Sequence, residues 1–201
     1  MIQLRPYRPP DLLALYDVCL KTGASGADAS AVYRDPMLLG HVYAAPYAVF
    51  CPETTFVLSG DHRVLGYVLG VPDSRRFERE TEAHWFPLLR GLYPLPGLQD
   101  RSPDARMIRA VHRGYRAPDG SWAAAHPAHL HIDLLPEVQG GGWGRRLMET
   151  LLAALQAQGI PGVHLGVGVS NVSAQGFYER LGFVPLERSA SSVIYGVTFP
   201  G

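Results

Sequence analysis

Gln139-Gly140-Gly141-Gly142-Trp143-Gly144 follows the apolar run HLHIDLL and opens a segment of helical period, WGRRLMETLLAALQAQG. A strand, a glycine-rich turn and a helix start together form an anion site. Glycines let the backbone approach a phosphate, and the first N–H groups of a helix lack internal acceptors. Two phosphate patterns fail. The phosphate-loop motif GxxxxGK(S/T) is absent, and the only lysine in the chain is Lys21. The dinucleotide motif GxGxxG breaks because Arg145 stands where its third glycine belongs.

A second group of reactive side chains lies just upstream. His129, His131 and Asp133 alternate along one predicted strand and share a face, while Leu130, Ile132 and Leu134 take the other. Polar groups on an otherwise apolar strand need partners if that face is dry. Further on, Asn171 and Ser173 are placed to cap a short helix that carries Tyr178. Cys19 and Cys51 have neither CxxC spacing nor nearby histidine spacing, so the reading is two buried, inert thiols and no metal site.

The surrounding elements read as follows. Residues 1–5 form a strand, and DLLALYDVCLKTG a helix stopped by Gly23. After the loop GASGADAS, the aromatic segment YRDPMLLGHVYAAPYAVF gives one or two short helices broken at Pro46. TTFVLSGDHRVLGYVLGV is a hairpin turning at Gly60-Asp61-His62. A helical pattern runs from Ser74 through RRFERETEAHWFPLLRGLY, with another over 103–114 and a loop over 115–127. HLHIDLL ends at Pro136, and the helix after the glycines stops at Gly159. VHLGVGV is a strand, SAQGFYERLG a helix, and FVPLER with SVIYGVTF an antiparallel pair.

The 201 residues hold 18 Lys plus Arg and 18 Asp plus Glu, with 47% hydrophobic and 18% charged residues. Such a composition is globular, and it is long enough for one domain over 1–201 with its own core. Zero formal charge argues against nucleic acid or anionic membrane as a partner. Local charge differs: Arg101, Arg106, Arg109, Arg113 and Arg116 lie close together against Asp104 alone. The first residues carry no apolar leader, and no run is apolar enough to span a bilayer. The expected location is the cytoplasm. Arginine-for-lysine bias with abundant Gly, Pro and Ala points to a GC-rich, bacterial source.

Gln139-x-x-Gly142-x-Gly144 resembles the acetyl-CoA pyrophosphate loop (Q/R-x-x-G-x-G/A) of the GNAT superfamily of N-acetyltransferases. Asn171-x-x-Ala174-x-x-x-Tyr178-x-x-x-Gly182-Phe183 resembles that superfamily's second motif, in the right order. The front half, in RPPDLLALYDVCLKTG, YAAPY and VLGYVLGVPD, resembles the acetyltransferase-like C-terminal domain of O-GlcNAcase and its free-standing bacterial relatives. In the animal domain the cofactor loop is degraded, whereas QGGGWG is intact in this chain.

The resemblance implies an α/β (α+β) fold with a mixed, mostly antiparallel central sheet. That sheet would be splayed at the cofactor cleft and carry helices on both faces. It also implies acetyl-CoA as cofactor and a small-molecule or peptide amine as acceptor, and it is compatible with a homodimer. The pantetheine arm would pair with the strand edge at Leu134 and Leu135. The pyrophosphate would take N–H groups from Gln139, Gly140, Gly141, Gly142, Trp143, Gly144 and Arg145, with charge from Arg145 or Arg146. Asn171 and Ala174 would flank the cofactor at the splay, and Tyr178 would be the general acid for the leaving thiolate.

Deprotonating an amine of pKa about 10.4 at pH 7 costs about 4–5 kcal/mol, so a base or water chain is needed. Asp133 or His131 is the candidate, with a structural role for either left open. His129-Leu130-His131 also resembles the histidine pair of arylalkylamine acetyltransferases, offset by about one residue relative to the glycine loop. His41, Tyr43, Tyr47, Trp85 and Trp143 are the candidate walls of the acceptor pocket. Two other functions stay open: a cofactor-binding pseudo-acetyltransferase, and a protein-interaction module.

Overall fold

The protein is described over residues 1–200 by a computed structural model. Its elements in chain order are β1 (Gln3–Pro6), α1 (Leu12–Thr22), α2 (Leu38–Tyr43), α3 (Ala45–Phe50), β2 (Thr55–Gly60) and β3 (Arg63–Val71). They continue with α4 (Ser74–His84), α5 (Phe86–Leu92), α6 (Pro103–Arg113), β4 (Ala128–Leu134) and α7 (Trp143–Ala157). The last four are β5 (Gly162–Gly168), α8 (Val172–Glu179), β6 (Val184–Arg188) and β7 (Ser192–Thr198).

All seven strands form one sheet in the order β1-β2-β3-β4-β5-β7-β6. Every pairing is antiparallel except β4 with β5. That central parallel pair is also the shortest. Only Ala128 with Val163 and His129 with His164 are in register. Beyond His129 the strands part, although β4 stays paired to β3 as far as Leu134 and β5 to β7 as far as Gly168. The expected splay is therefore present in the sheet, with helices on both faces.

Strand parity sorts the faces. Gly70 pairs with Leu130, and a Cβ on Gly70 would lie 2.4 Å from Leu151 of α7, so the even positions of β4 face that helix. The odd positions face α3, where Tyr47 bonds both His129 and His131. The core on the α7 side is built from Leu147, Met148, Leu151 and Leu155, all fully buried at i, i+1, i+4 and i+8 of one helix. Cys19, against Tyr67 and Asp133 on the other face, and Cys51, just after α3, are buried too, and burial pushes both thiols up to about 12, so they stay protonated.

Two breaks differ from the sequence reading. The aromatic segment breaks at Ala44 rather than Pro46, and Pro46 occupies the first turn of α3. Proline lacks the N–H a helix interior needs but is tolerated in a first turn, so the break moves upstream. Pro87 does the same to the long charged helix, which divides at Trp85 into α4 and α5. The hairpin turn holds Asp61 and His62 both at positive φ, 51° and 64°, as a two-residue primed turn requires.

Candidate functional site

The splay opens a cleft of about 1150 Å³. Its sides are β4 from Leu130 to Leu134 and β5 from Leu165 to Gly168; the loop before α7 and the start and face of α8 close one end. The other end is walled by Cys19, Thr22, Tyr33, Leu39, Tyr43 and Met107. A second cavity, about 590 Å³, lies around the β2–β3 turn; its central charges, Arg5 and Asp11, are already paired to each other.

The glycine loop is shaped to leave its donors free. Gly140 and Gly142 sit at φ of 75° and 77°, the left-handed region that side chains disfavour. Gly142 is the residue before α7, so the helix starts with no side-chain cap on its first N–H groups. Gln139 donates its N–H to Pro136 O, and Arg146 donates to Gly142 O. Between them, the N–H groups from Gly140 to Arg145 donate to no acceptor among the described residues. Six unpaired donors at a helix N-terminus suit a diphosphate, so the loop fits the polyanionic end of acetyl-CoA. Gln139 does not point outward: its Nε2 donates back to Leu134 O at 2.8 Å and clips the loop to the end of β4.

Arg145 and Arg146 separate cleanly. Arg145 lines the cleft, loosely held by Glu149 at 3.4 Å. Arg146 places its guanidinium 4.7 Å from the Trp143 ring centre and is outside the cleft. Trp143 is consequently a support for Arg146 and not a cleft wall.

The open edge of β4 is narrower than expected. Leu135 donates its N–H to Leu65 O, accepts from Val138 N and is buried, so it does not face the cleft. With that bond fixing the parity, the backbone groups of Leu130, Ile132 and Leu134 point toward β5, where the partner strand has departed. Ile132 and the Leu134 N–H remain as edge groups, since Gln139 occupies the Leu134 carbonyl. Leu135 is thus removed from the candidate cofactor edge.

Across the cleft, Asn171 caps α8 by accepting from Ala174 N at 3.1 Å, and both residues line the cleft. Capping uses Oδ1 and leaves the amide Nδ2 free. Tyr178 lies in the last turn of α8, buried against Phe177, Phe183 and Tyr195. Among the described residues its hydroxyl has no hydrogen-bond partner, and it is not sealed from solvent, so it opens on the cleft. Burial first, and then the charge of Asp133, push its phenol well above the usual value of 10. It therefore carries its proton at neutral pH.

Asp133 and His131 line the same cleft from β4. Burial raises the Asp133 carboxyl from 3.8 to about 6, against the opposing pull of the Tyr67 and Thr22 hydroxyls. Burial lowers His131 to about 4, so its ring is neutral. His129, on the same face, is sealed in, bonded at Nδ1 by Ser74 and at Nε2 by Tyr47, with Tyr115 stacked on its ring; it has a structural place away from the cleft.

Of the candidate acceptor walls, only Tyr43 lines the cleft. His41 bonds the Tyr16 hydroxyl through Nδ1 at 2.8 Å and accepts Trp85 Nε1 at its carbonyl, so both rings pack between α1, α2 and α5. Tyr47 lies beneath the histidines of β4. Sequence reasoning missed Cys19, Thr22, Tyr33, Leu39 and Met107. They come from four separate stretches, and no local pattern marks them. Among the described residues, no group of three or more His, Cys, Asp or Glu is placed to hold a metal ion, and no helix is long and apolar enough to cross a membrane.

The family model of the GNAT acetyltransferases matches residues 106–183, which contain both motifs and β4. A solved structure titled SsHAT superposes with a TM-score of 0.92 at 43% identity, covering 98% of each chain. O-GlcNAcase of Rattus norvegicus is 24% identical over 180 residues, 89% of this chain and 20% of its own length. Mycothiol acetyltransferase of Streptomyces scabiei is 39% identical over 133 residues, 62% of this chain and 43% of its own length. The chain thus spans a fifth of the first relative and under half of the second. Fold, motifs and relatives agree: the chain belongs to the GNAT superfamily of acetyltransferases. That family generally uses acetyl-CoA and acts on small-molecule or peptide amines. Within it, the chain is related to the C-terminal part of O-GlcNAcase and to bacterial acetyltransferases such as the mycothiol enzymes.

Proposed function

We propose that this protein is an acetyl-CoA-dependent N-acetyltransferase that moves the acetyl group directly to an amine held in the splay cleft. The observation that carries this reading is one cleft with free loop N–H groups at one end and two reactive side chains, Asp133 and Tyr178, opening on it from opposite sides. Acetyl-CoA would supply an activated thioester carbonyl. The loop from Gly140 to Arg145 holds the diphosphate, the guanidinium of Arg145 adds charge, and Ile132 and Leu134 offer backbone groups to the pantetheine amides. Asn171 Nδ2 is a further donor at the same level.

Asp133 takes the proton from the acceptor ammonium. With a carboxyl held near 6, it is ionised at pH 7 yet more basic than an ordinary aspartate. The amine nitrogen then forms the C–N bond as the C–S bond breaks, and the second proton it sheds on becoming an amide goes to the departing thiolate. Tyr178 donates its O–H to the departing sulfur. Its phenol lies above the thiol value of about 8.5, so it stabilises the thiolate through a hydrogen bond while keeping most of the proton. An unoccupied Tyr178 hydroxyl and an unoccupied Asp133 oxygen favour transfer over mere binding, because a binding module has no use for either.

Thermal unfolding with acetyl-CoA tests the first half. A ligand at 100 times its Kd adds about 2.7 kcal/mol, so the melting temperature should rise by several degrees. Release of free thiol, followed with a panel of primary amines, tests the second half. No shift at millimolar acetyl-CoA rejects the cofactor assignment; a shift with no thiol release for any amine favours the binding-module alternative.

A further inference from the structure

His131, Tyr47 and His129 are joined through the Tyr47 hydroxyl, which lies 3.0 Å from His131 Nε2 and 3.2 Å from His129 Nε2. The direction of every proton in this chain follows from its far end. Ser74 Oγ is 2.7 Å from Pro127 O, and a carbonyl has no proton to give, so the Ser74 hydroxyl donates there. The 2.7 Å contact between Ser74 Oγ and His129 Nδ1 must then use the ring's own proton. Tyr115 also reaches Nδ1 at 3.2 Å, but its ring is stacked on His129 at 11°, out of line with the in-plane nitrogen.

A neutral His129 with Nδ1–H has a bare Nε2, which accepts from Tyr47. The Tyr47 oxygen can accept in turn only from His131 Nε2–H. His131 is then left with a bare Nδ1. That nitrogen has no hydrogen-bond partner among the described residues and is not sealed from solvent, and its ring lines the cleft. The titratable and charged groups facing the ring are Tyr43 of α2, Tyr47 of α3, and His129 and Asp133 of its own strand.

We propose that Ser74, His129 and Tyr47 fix His131 in its Nε2–H form, so that Nδ1 stands in the cleft as a permanent acceptor for an N–H of the incoming amine. This rests on the N-acetyltransferase reading. Asp133 Oδ1 is a second acceptor on the same strand face, since Tyr67 donates to Oδ2 and the nearby Thr22 hydroxyl donates to Val18 O. The two act in sequence on an ammonium: one N–H gives its proton to Asp133 Oδ1, and another stays on His131 Nδ1, which holds the nitrogen while the lone pair just freed turns to the thioester carbonyl. Tyr47 is accordingly a positioning residue, acting through His131.

The test is a long-range ¹⁵N–¹H spectrum of the histidine rings, which reads tautomer directly and needs neither variant nor substrate. The expected pattern for His131 is protonated Nε2 and bare Nδ1 at neutral pH. A wild-type His131 with Nδ1–H, or with fast exchange between forms, overturns the proposal. In Tyr47→Phe the restraint is lost, and His131 should become a tautomer mixture. The acceptor KM should then rise about tenfold, with the acetyl-CoA Kd unchanged. A mixed tautomer with an unaltered acceptor KM overturns the positioning role. If Tyr47→Phe does not fold, Ser74→Ala releases the chain from its far end and should move the same resonances. Failure of wild type to bind acetyl-CoA would count instead against the N-acetyltransferase reading, and the wild-type spectrum would still decide the tautomer.

Discussion

The Tyr67 hydroxyl donates to Asp133 Oδ2 at 2.6 Å, directly across the β3–β4 pair, and Thr22, the other hydroxyl near the carboxylate, spends its proton on Val18 O, which leaves Oδ1 without a donor among the described residues. The pair is set by register. Tyr67 is fully buried, while Asp133 reaches the cleft. One oxygen is therefore anchored and the other is free for chemistry.

Asp133→Asn should nearly abolish transfer while stabilising the fold. Loss of a positioned base costs about 10²–10⁴ in kcat/KM. The stability sign follows from a carboxyl raised to about 6 in the folded state: between about pH 4 and 6 the folded form binds a proton that the unfolded form has lost. Stability is present below that window and declines as pH rises through it. Asparagine escapes the penalty, so at pH 8 the variant should be more stable by about 2–3 kcal/mol, read by denaturant unfolding. In wild type, kcat/KM should fall as pH drops through about 6, and that limb should vanish in the variant.

Tyr178→Phe should lower kcat by about 10²-fold with little change in acetyl-CoA affinity, since the hydroxyl meets the sulfur only as charge develops there. Stability should be nearly unaffected, because the hydroxyl has no protein bond to lose. Steady-state rates beside calorimetric Kd values separate the two. An equal loss in both would assign the hydroxyl to binding.

Gly142→Ala tests the loop. No atom lies within 4 Å of the added Cβ, so its cost is conformational: a φ of 77° opposes any L side chain by about 1–2 kcal/mol. The melting temperature should fall by roughly 2–8 °C. Relaxing toward negative φ would also turn the loop N–H groups, so acetyl-CoA should bind more weakly in the same variant.

Arg145→Ala and Arg146→Ala should differ. Arg145 stands in the cleft, and loss of a charge-assisted contact of about 1.5–3 kcal/mol weakens acetyl-CoA binding roughly 10- to 100-fold, more so at low salt. Arg146 stacks on Trp143 and faces elsewhere, so its removal should leave the Kd unchanged. Titrations at two ionic strengths distinguish them.

Legibility in the sequence tracked distance along the chain. Gln139 to Gly144 and Asn171 to Tyr178 are local patterns; glycine conformation and helix capping fix their geometry within a few residues, and the structure brings both to one cleft. The shared face of His129, His131 and Asp133 was equally readable, because strand parity is local. What each of them does was not. Ser74 and Tyr47 decide the state of His129 from 55 and 82 residues away. Leu135 was misplaced for the same reason, since Leu65 on the neighbouring strand claims its N–H. The aromatic front half gave the least. His41 and Trp85 look like pocket walls by composition, but their polar atoms are spent on Tyr16 and on a backbone carbonyl inside the core.

The two register pairs joining β4 to β5 make the sheet a four-strand leaf and a three-strand leaf bound along a short spine. A ligand running up the opening would bond one leaf along its length and reach across to the other, so it would serve as a page between covers and as a stitch holding them. Such a protein's rigidity is partly on loan from its cofactor. Amides along the free edges of Ile132 and Leu134 should exchange freely when the cofactor is gone and slow together when it arrives, and the two leaves should then unfold as one body.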